Sequence, residues 1–306
     1  MRKFAFVMMI AFTVLLQGCS GKTDDRHTLS DQSVVNGEEK DDSDSGNSNQ
    51  PIPTTEPTQE PTHDPTPEPT EAPALVLPIV INDSGKVLIQ TVSQNVTYPY
   101  NTYIISSVNG ENVVVDPSMM PKKEILDINP AAIISTHNHP DHSNPAYTKS
   151  YDCPNILYVK GEIKTEDFNI YSIPSSHDSD TITEAPTNVL VVFEVDGLCI
   201  VHMGDIGQTT LTKEQLTELG EIDIAFMQFE NSYSSMDLEN MKGFNLIEQL
   251  NPKIIIPTHY TNNSLAELEA KYGAVTEFVN SMEISKEDLP EDTLHVYRIS
   301  NTHIYR

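Results

Sequence analysis

One short stretch of the sequence concentrates side chains that bind metal ions. Three histidines and an aspartate fall within the run Thr136-His137-Asn138-His139-Pro140-Asp141-His142. The apolar run Ala131–Ile134 directly precedes it, so a predicted strand delivers the chain to a turn that gathers these side chains. Imidazole nitrogens and carboxylate oxygens are ligands that suit zinc and related metals. The stretch therefore predicts a metal site at the end of a strand.

This string resembles the His-x-His-x-Asp-His signature of the metallo-β-lactamase superfamily. Later motifs of that superfamily have counterparts in the same order: His177 after Ile173–Ser176, Gly204-Asp205 after a strand, and His259 after Ile255–Thr258. The run Val113–Pro117 also resembles the early strand of the superfamily that ends in Asp-Pro. The resemblance covers nearly all of residues 75–306.

The resemblance implies two divalent metal ions and assigns their ligands by position. One ion would be held by His137, His139 and His177, the other by Asp141, His142 and His259, and Asp205 would bridge the two. Zinc is the expected metal, with manganese or iron as alternatives. The implied reaction is attack on a carbonyl or phosphoryl centre by a hydroxide shared between the ions. Asp141 and His259 are the implied catalytic residues, and Asp141 could orient the hydroxide.

The elements that must position these residues have an α/β pattern. Short β-branched runs predict strands at Val87–Val92, Tyr103–Val108, Val113–Val115, Ala132–Ser135, Val189–Val195, Leu198–Val201 and Ile254–Pro257. Helices are predicted at Lys213–Leu219, Met236–Leu250 and Leu265–Asn280. Early strands followed by alternating strands and helices indicate two sheets flanked by helices. The resemblance implies the four-layer αββα sandwich of the superfamily.

A narrower resemblance concerns one branch of the superfamily. The segment Gly220–Met227 and the run Pro257-Thr258-His259-Tyr260 resemble ascorbate-6-phosphate lactonase-like Zn-dependent hydrolases. A glycine pair usual in that branch is replaced here by Gln228-Phe229-Glu230-Asn231. Because those positions are expected near the pocket, the substrate of the branch does not carry over.

Other polar residues near these motifs have weaker predicted roles. His202 is predicted to support the site or pack in the core rather than bind metal, and Asp116 to be a structural loop residue near the site. Tyr260 could contact substrate or pack, and the sequence leaves both open. Cys153 and Cys199 lie outside the metal motifs, and whether they form a disulfide also stays open.

The amino-terminal segment predicts export and lipid anchoring. Residues 1–18 combine a short basic region with an apolar run typical of a signal peptide, and Leu16-Gln17-Gly18-Cys19 resembles the bacterial lipobox. The resemblance implies that Cys19 carries a lipid, which would hold the protein on the outer face of the bacterial cell membrane. Residues 19–74 are acidic and rich in Pro and Thr, and they predict a disordered linker before a domain at 75–306.

Composition restricts the partners. The 306 residues contain 18 Lys and Arg against 45 Asp and Glu, a net charge of −27. Because such a field repels polyanions, nucleic acid is not an expected partner, and a small-molecule substrate is. The oligomeric state is not predicted.

Three functions compete on these observations. A binuclear metal-dependent hydrolase that cleaves an ester, lactone, amide or phosphodiester bond uses the complete ligand set. Di-iron redox chemistry is less favoured, because such superfamily members generally have a carboxylate where His139 stands. A non-catalytic, metal-containing surface binding lipoprotein would explain the tether but not the open ligand sites.

Overall fold

The computed structural model of the protein describes residues 81–92 and 102–301. All of these residues belong to one unit, residues 70–306. The predicted signal peptide, Cys19 and the predicted linker up to residue 74 lie outside the described residues, as does the segment 93–101.

Fourteen strands among the described residues form two sheets. In chain order they are β1 (Val87–Val92), β2 (Thr102–Ser106), β3 (Asn112–Val115), β4 (Ala132–Ser135), β5 (Asn155–Leu157), β6 (Glu162–Lys164), β7 (Phe168–Ser175), β8 (Asn188–Val195), β9 (Leu198–His202), β10 (Ile224–Met227), β11 (Ile254–Pro257), β12 (Thr276–Val279), β13 (Ser281–Ile284) and β14 (His295–Ser300). The first sheet has the order β13-β1-β2-β3-β4-β5 and the second the order β12-β14-β11-β10-β9-β8-β7-β6.

Four α-helices connect strands within the described part of the chain. They are α1 (Pro145–Lys149), α2 (Lys213–Leu219), α3 (Lys242–Leu250) and α4 (Asn262–Tyr272). The α2 and α4 helices begin at capping boxes on Thr212 and Thr261, whose side chains accept hydrogen bonds from free backbone N–H groups of the first turn. No helix in residues 81–92 and 102–301 has the length and apolar character to cross a membrane.

The described residues form four layers, with an apolar cluster between each layer and the next. One cluster lies between the two sheets, a second packs the second sheet against α2, α3 and α4, and a third packs the first sheet against α1. Strand β11 explains the unbroken apolar runs of the sequence, because Ile254 and Ile256 face the first cluster while Ile255 faces the second. The predicted αββα architecture is confirmed.

Several predicted elements match the structure closely. The strands Val87–Val92, Ala132–Ser135 and Ile254–Pro257 and the helix Lys213–Leu219 have the predicted bounds. These elements are short and flanked by polar or turn residues, so local pattern alone defines them.

Two predicted helices were too long. The helix predicted at Met236–Leu250 begins only at Lys242, because Met241 has a positive φ of 54° that no helix interior accepts. The helix predicted at Leu265–Asn280 was wrong at its end: α4 stops at Tyr272, before Gly273 with φ 92°. The following residues form β12, which pairs in parallel with β14.

Strand direction decides where the polar loops meet. Strands β3 and β4 run parallel, and so do β9, β10 and β11. Strand β7 runs in the direction of β9, because each is antiparallel to the intervening β8. Within each sheet, the loops that follow these strands therefore emerge at the same end.

Candidate metal centre

Each predicted ligand lies directly after a strand. His137, His139, Asp141 and His142 follow β4, His177 follows β7, Asp205 follows β9 and His259 follows β11. The turn before Asp205 requires Gly204, which has φ 57° and lies so close to Asn188 that a Cβ there would be 2.3 Å from its Oδ1.

The first group of candidate ligands consists of His137, His139 and His177. One ligand atom from each lies within 4.8 Å of the others. His137 and His177 are buried, whereas His139 is exposed at the mouth of the site. Three imidazoles on two loops therefore lie close together, in the grouping that the resemblance implies, and their role as metal ligands stays a prediction.

The second group consists of Asp141, His142, Asp205 and His259, whose ligand atoms also lie within 4.8 Å of one another. The Nε2 atoms of His142 and His259 are 3.2 Å apart. Oδ1 of Asp205 lies 3.4 Å from Nε2 of His142 and 3.2 Å from Nε2 of His259. The second group thus includes a carboxylate that the first group also approaches.

Asp205 stands between the two groups. Its Oδ1 faces the second group, while its Oδ2 lies 3.6 Å from Nε2 of His137 and 3.7 Å from Nε2 of His177. One carboxylate oxygen is therefore directed at each group. This is the placement that a bridging ligand requires, and the bridging role itself stays a prediction.

The donor atoms fit metal ions better than they fit one another. Nε2 of His137, Nε2 of His177 and Oδ1 of Asp205 are buried without a hydrogen-bond partner. Unpaired buried polar atoms destabilise a fold, so these three atoms are expected to bind a cation. Zinc–nitrogen bonds of about 2.0–2.1 Å place two ligands of a tetrahedral ion about 3.3 Å apart. The spacings of 3.2 to 3.4 Å among His142, His259 and Asp205 match this value.

Asp116 orients His142. Its Oδ2 lies 2.7 Å from Nδ1 of His142, and its Oδ1 accepts a hydrogen bond of 2.8 Å from the backbone N–H of Thr136. The imidazole N–H therefore points at Asp116 and leaves Nε2 for the second group. The sequence predicted only a structural loop residue here; the Asp-Pro strand end was the available signal.

Charge is distributed unevenly among the histidines of the protein without metal. Burial alone would lower the pKa of His142, but the carboxylates of Asp205 and Asp116 raise it to about 9. Burial and the charge on His142 lower the pKa of His137 to about 2, so its imidazole is neutral. Burial alone would raise the pKa of Asp205, but its interactions with His142, His259 and His177 together outweigh burial and hold that pKa well below its usual value. One histidine therefore carries a proton that a metal must displace.

Asn231 is a site residue that the sequence did not single out individually. Its Nδ2 donates hydrogen bonds to Oδ2 of Asp205 at 2.7 Å and to Oε1 of Gln228 at 2.9 Å. Both residues belong to Gln228–Asn231, the stretch where the sequence departs from the branch it resembles. The departure itself was the only sequence signal.

The remaining candidates pack around the site. His202 lies outside both groups, as predicted: it is stacked on Phe226, and its Nδ1 accepts a hydrogen bond from the backbone N–H of Gly204. The hydroxyl of Tyr260 accepts a hydrogen bond of 3.0 Å from Nε of Arg298, so this side chain packs against β14. Cys153 and Cys199 are free thiols in different apolar clusters.

A cleft of about 380 Å³ opens onto the centre. Its lining combines candidate ligands with two other side chains: His139, Pro140, Asp141, Asp205 and Tyr233. A small molecule that entered this cleft would meet both groups at Asp205.

Comparisons with known proteins show the family of the chain. The model of the beta-lactamase superfamily domain matches residues 96–259. A UPF0173 metal-dependent hydrolase of Methanopyrus kandleri is 25% identical over 183 residues, covering 50% of this chain and 78% of that protein. One from Staphylococcus haemolyticus is 24% identical over 193 residues, covering 52% and 82%.

Among solved structures, one from Thermotoga maritima, named as a Zn-dependent hydrolase of the metallo-beta-lactamase superfamily, aligns at TM-score 0.49 and 20% identity, over 70% of this chain and all of that one. Igni18 of Ignicoccus hospitalis, named as a metallo hydrolase, aligns at 0.43 and 17%, over 60% and 91%. The family model spans more than half of the 306 residues and ends on His259. The chain therefore belongs to the metallo-beta-lactamase superfamily, and it groups there with metal-dependent hydrolases.

Proposed function

We propose that the protein is a hydrolase with a two-metal centre, which cleaves an ester, lactone, amide or phosphodiester bond of a small molecule. The observation that carries this proposal is Asp205, whose two carboxylate oxygens are directed at two separate groups of candidate ligands. A single structural ion would need only one closed group, whereas two adjoining groups at an open cleft fit catalysis.

The proposed ligands divide as the groups do. His137, His139 and His177 would hold one ion, Asp141, His142 and His259 the other, and Asp205 both. When bound, the ions would lower the pKa of a water molecule towards neutrality and polarise the bond under attack. Zinc is the proposed metal, and manganese and iron suit the same nitrogen and oxygen donors.

The chain's own side chains prepare this centre. Asp116 fixes the tautomer of His142, and Asn231 holds Asp205 through its Oδ2. Asp141 lines the cleft with a partly exposed side chain, and its Oδ2 lies 3.8 Å from Nε2 of His142. From there Asp141 would orient the attacking water and accept its proton. His259 would bind the second ion together with His142 and so hold that ion at the reaction site.

Location and branch are part of the proposal. The sequence of residues 1–18 and Cys19 supports a lipid-anchored protein on the outer face of the bacterial cell membrane, with residues 19–74 as a linker and 75–306 as the hydrolase domain. Motifs around His259 support kinship with ascorbate-6-phosphate lactonase-like hydrolases. The acidic chain supports a small-molecule substrate rather than nucleic acid.

Metal content and turnover test this proposal together. His139→Ala or Asp205→Ala should reduce bound metal and hydrolysis by more than the roughly 10- to 100-fold typical of losing an outer partner of a ligand. Metal is measured by elemental analysis and turnover on a panel of esters, lactones, β-lactams and phosphodiesters. His295→Ala, an exposed histidine of β14, serves as the matched control and should change neither.

Two results would contradict the proposal. Full activity in either ligand variant would refute the site assignment. Two tightly bound ions without turnover on any class of substrate would favour the alternative, a metal-containing surface binding lipoprotein.

A further inference from the structure

One large aromatic side chain stands at the mouth of the metal cleft. Tyr233 is 81% exposed and lines the cleft together with His139, Pro140, Asp141 and Asp205. Three of those four neighbours are candidate metal ligands, and the fourth is a proline. In this part of the cleft, the ring of Tyr233 and Pro140 are therefore the side chains that can contact a substrate without also binding metal.

The turn that carries Tyr233 is fixed at both ends. The backbone groups of Asn231 and Met236 exchange two hydrogen bonds, of 2.8 and 3.0 Å. Between them, Oδ1 of Asn231 accepts a hydrogen bond from the N–H of Tyr233. Ser234 is fully buried, and its hydroxyl accepts a hydrogen bond of 2.9 Å from Nε2 of Gln228. The ring is thus exposed on a backbone that is already ordered, which reduces the entropy lost when a ligand binds.

The same turn is tied to the reaction centre. Asn231, whose carbonyl group fixes the Tyr233 turn, also donates its amide N–H to Oδ2 of Asp205. The ring therefore has a defined position relative to the carboxylate between the two ligand groups.

We propose that Tyr233 binds the substrate through the face of its ring, and that the substrate carries a flat ring next to the bond that is cleaved. This inference rests on the proposed two-metal hydrolase. An aromatic face attracts another ring by stacking and dispersion.

A matched pair of metal-binding probes tests the ring contact without turnover. Benzohydroxamate and acetohydroxamate share the metal-binding group and differ only in phenyl against methyl. Their affinities for the full-length metal-loaded chain and its Tyr233→Ala and Tyr233→Phe variants are measured by calorimetry. Tyr233→Ala should weaken benzohydroxamate about 2- to 12-fold, the range expected for one aromatic pair, and leave acetohydroxamate unchanged. Tyr233→Phe should restore the affinity for benzohydroxamate, because the ring remains.

The outcomes separate this inference from the proposed function. If the wild-type chain does not take up two ions, the two-metal centre is refuted and the inference fails with it. If the loaded chain binds acetohydroxamate as tightly as benzohydroxamate, or binds neither, only the inference is refuted. If both bind but Tyr233→Ala weakens them equally or not at all, only the inference is refuted. Because the side chain is 81% exposed, the alanine variant should keep the fold.

Fluorescence provides a second readout, since the chain contains no tryptophan. Tyr233→Trp would place the single indole of the protein at the cleft. Val108→Trp is the matched control, because Val108 is 37% exposed in the hairpin that precedes β3, at the strand end remote from Asp116. Benzohydroxamate should shift the emission of the first variant and not of the second. Equal shifts in both variants, or none in the first, would contradict a ring contact at Tyr233.

Discussion

Substitution of Asp116 by asparagine should weaken metal binding at one ligand group and spare the other. Asp116 is buried and bonds Nδ1 of His142 through Oδ2, at 2.7 Å, while Oδ1 accepts from the N–H of Thr136. Asparagine has one acceptor oxygen for these two donors. If its NH₂ faces Thr136, two donors meet in a buried space. If it faces His142, the imidazole proton must move to Nε2, where it blocks the lone pair meant for metal.

The expected loss in metal affinity can be taken from other residues that hydrogen-bond a metal ligand without binding the metal. Their loss typically reduces metal affinity about 10- to 100-fold, equivalent to about 1.4 to 2.7 kcal/mol. The effect should fall on the group of Asp141, His142 and His259. The group of His137, His139 and His177 contacts Asp116 only indirectly among the described contacts, through the hydroxyl of Thr136, which lies 3.1 Å from Nδ1 of His137. Its affinity should therefore change less.

Competition with a fluorescent chelator measures both affinities in one titration. The wild-type chain should take up two ions, and Asp116→Asn should retain one tight step and show one weakened step. Asp178→Asn is the matched control, because Asp178 is an exposed carboxylate that directly follows His177. Two unchanged steps in Asp116→Asn would refute the role assigned to this carboxylate, and equal weakening of both steps would refute the separation of the groups.

Two further predictions concern stability. In the chelator-treated protein, the raised pKa of His142 stabilises the fold fully below about pH 6.5. This stabilisation, at most about 3 kcal/mol, is lost as the pH rises through about 9. Tm should therefore fall over this interval, and a Tm that rises would contradict the assignment. Gly207→Ala should reduce both Tm and metal content, because a Cβ there would lie 2.1 Å from the carbonyl oxygen of His177. Gly220→Ala has open space but a positive φ of 63° with ψ −145°, so it should cost about 1–3 kcal/mol and keep the metal. Equal metal loss in both variants would refute this reasoning.

Local sequence predicted much of the fold. The strands Val87–Val92 and Ala132–Ser135 have the predicted bounds because short apolar runs end at polar or turn residues within a few positions. Helix ends were less predictable. The continuation of α4 towards Asn280 fits an apolar pattern, but those residues pair with β14, whose sequence begins at His295. No local window contains that partner.

The candidate ligands illustrate the same division. His137, His139, Asp141 and His142 lie within one turn, so the sequence alone placed them together. His177, Asp205 and His259 could be added only through the resemblance to the superfamily, since nothing local distinguishes them from ordinary loop residues. The structure places all seven in two neighbouring groups, with Asp205 in the second, and their binding of metal stays a prediction.

The sequence by itself determined the chemistry that is available: a set of imidazole and carboxylate donors after buried strands, in an acidic chain. The tertiary structure alone decided which atoms those donors face. The pairing of His142 with His259 joins residues 117 positions apart, and the bond from Asn231 to Asp205 spans 26. Hydrogen-bond partners at such separations are chosen by how two sheets stack and where parallel strands end, and a linear pattern carries no record of that choice.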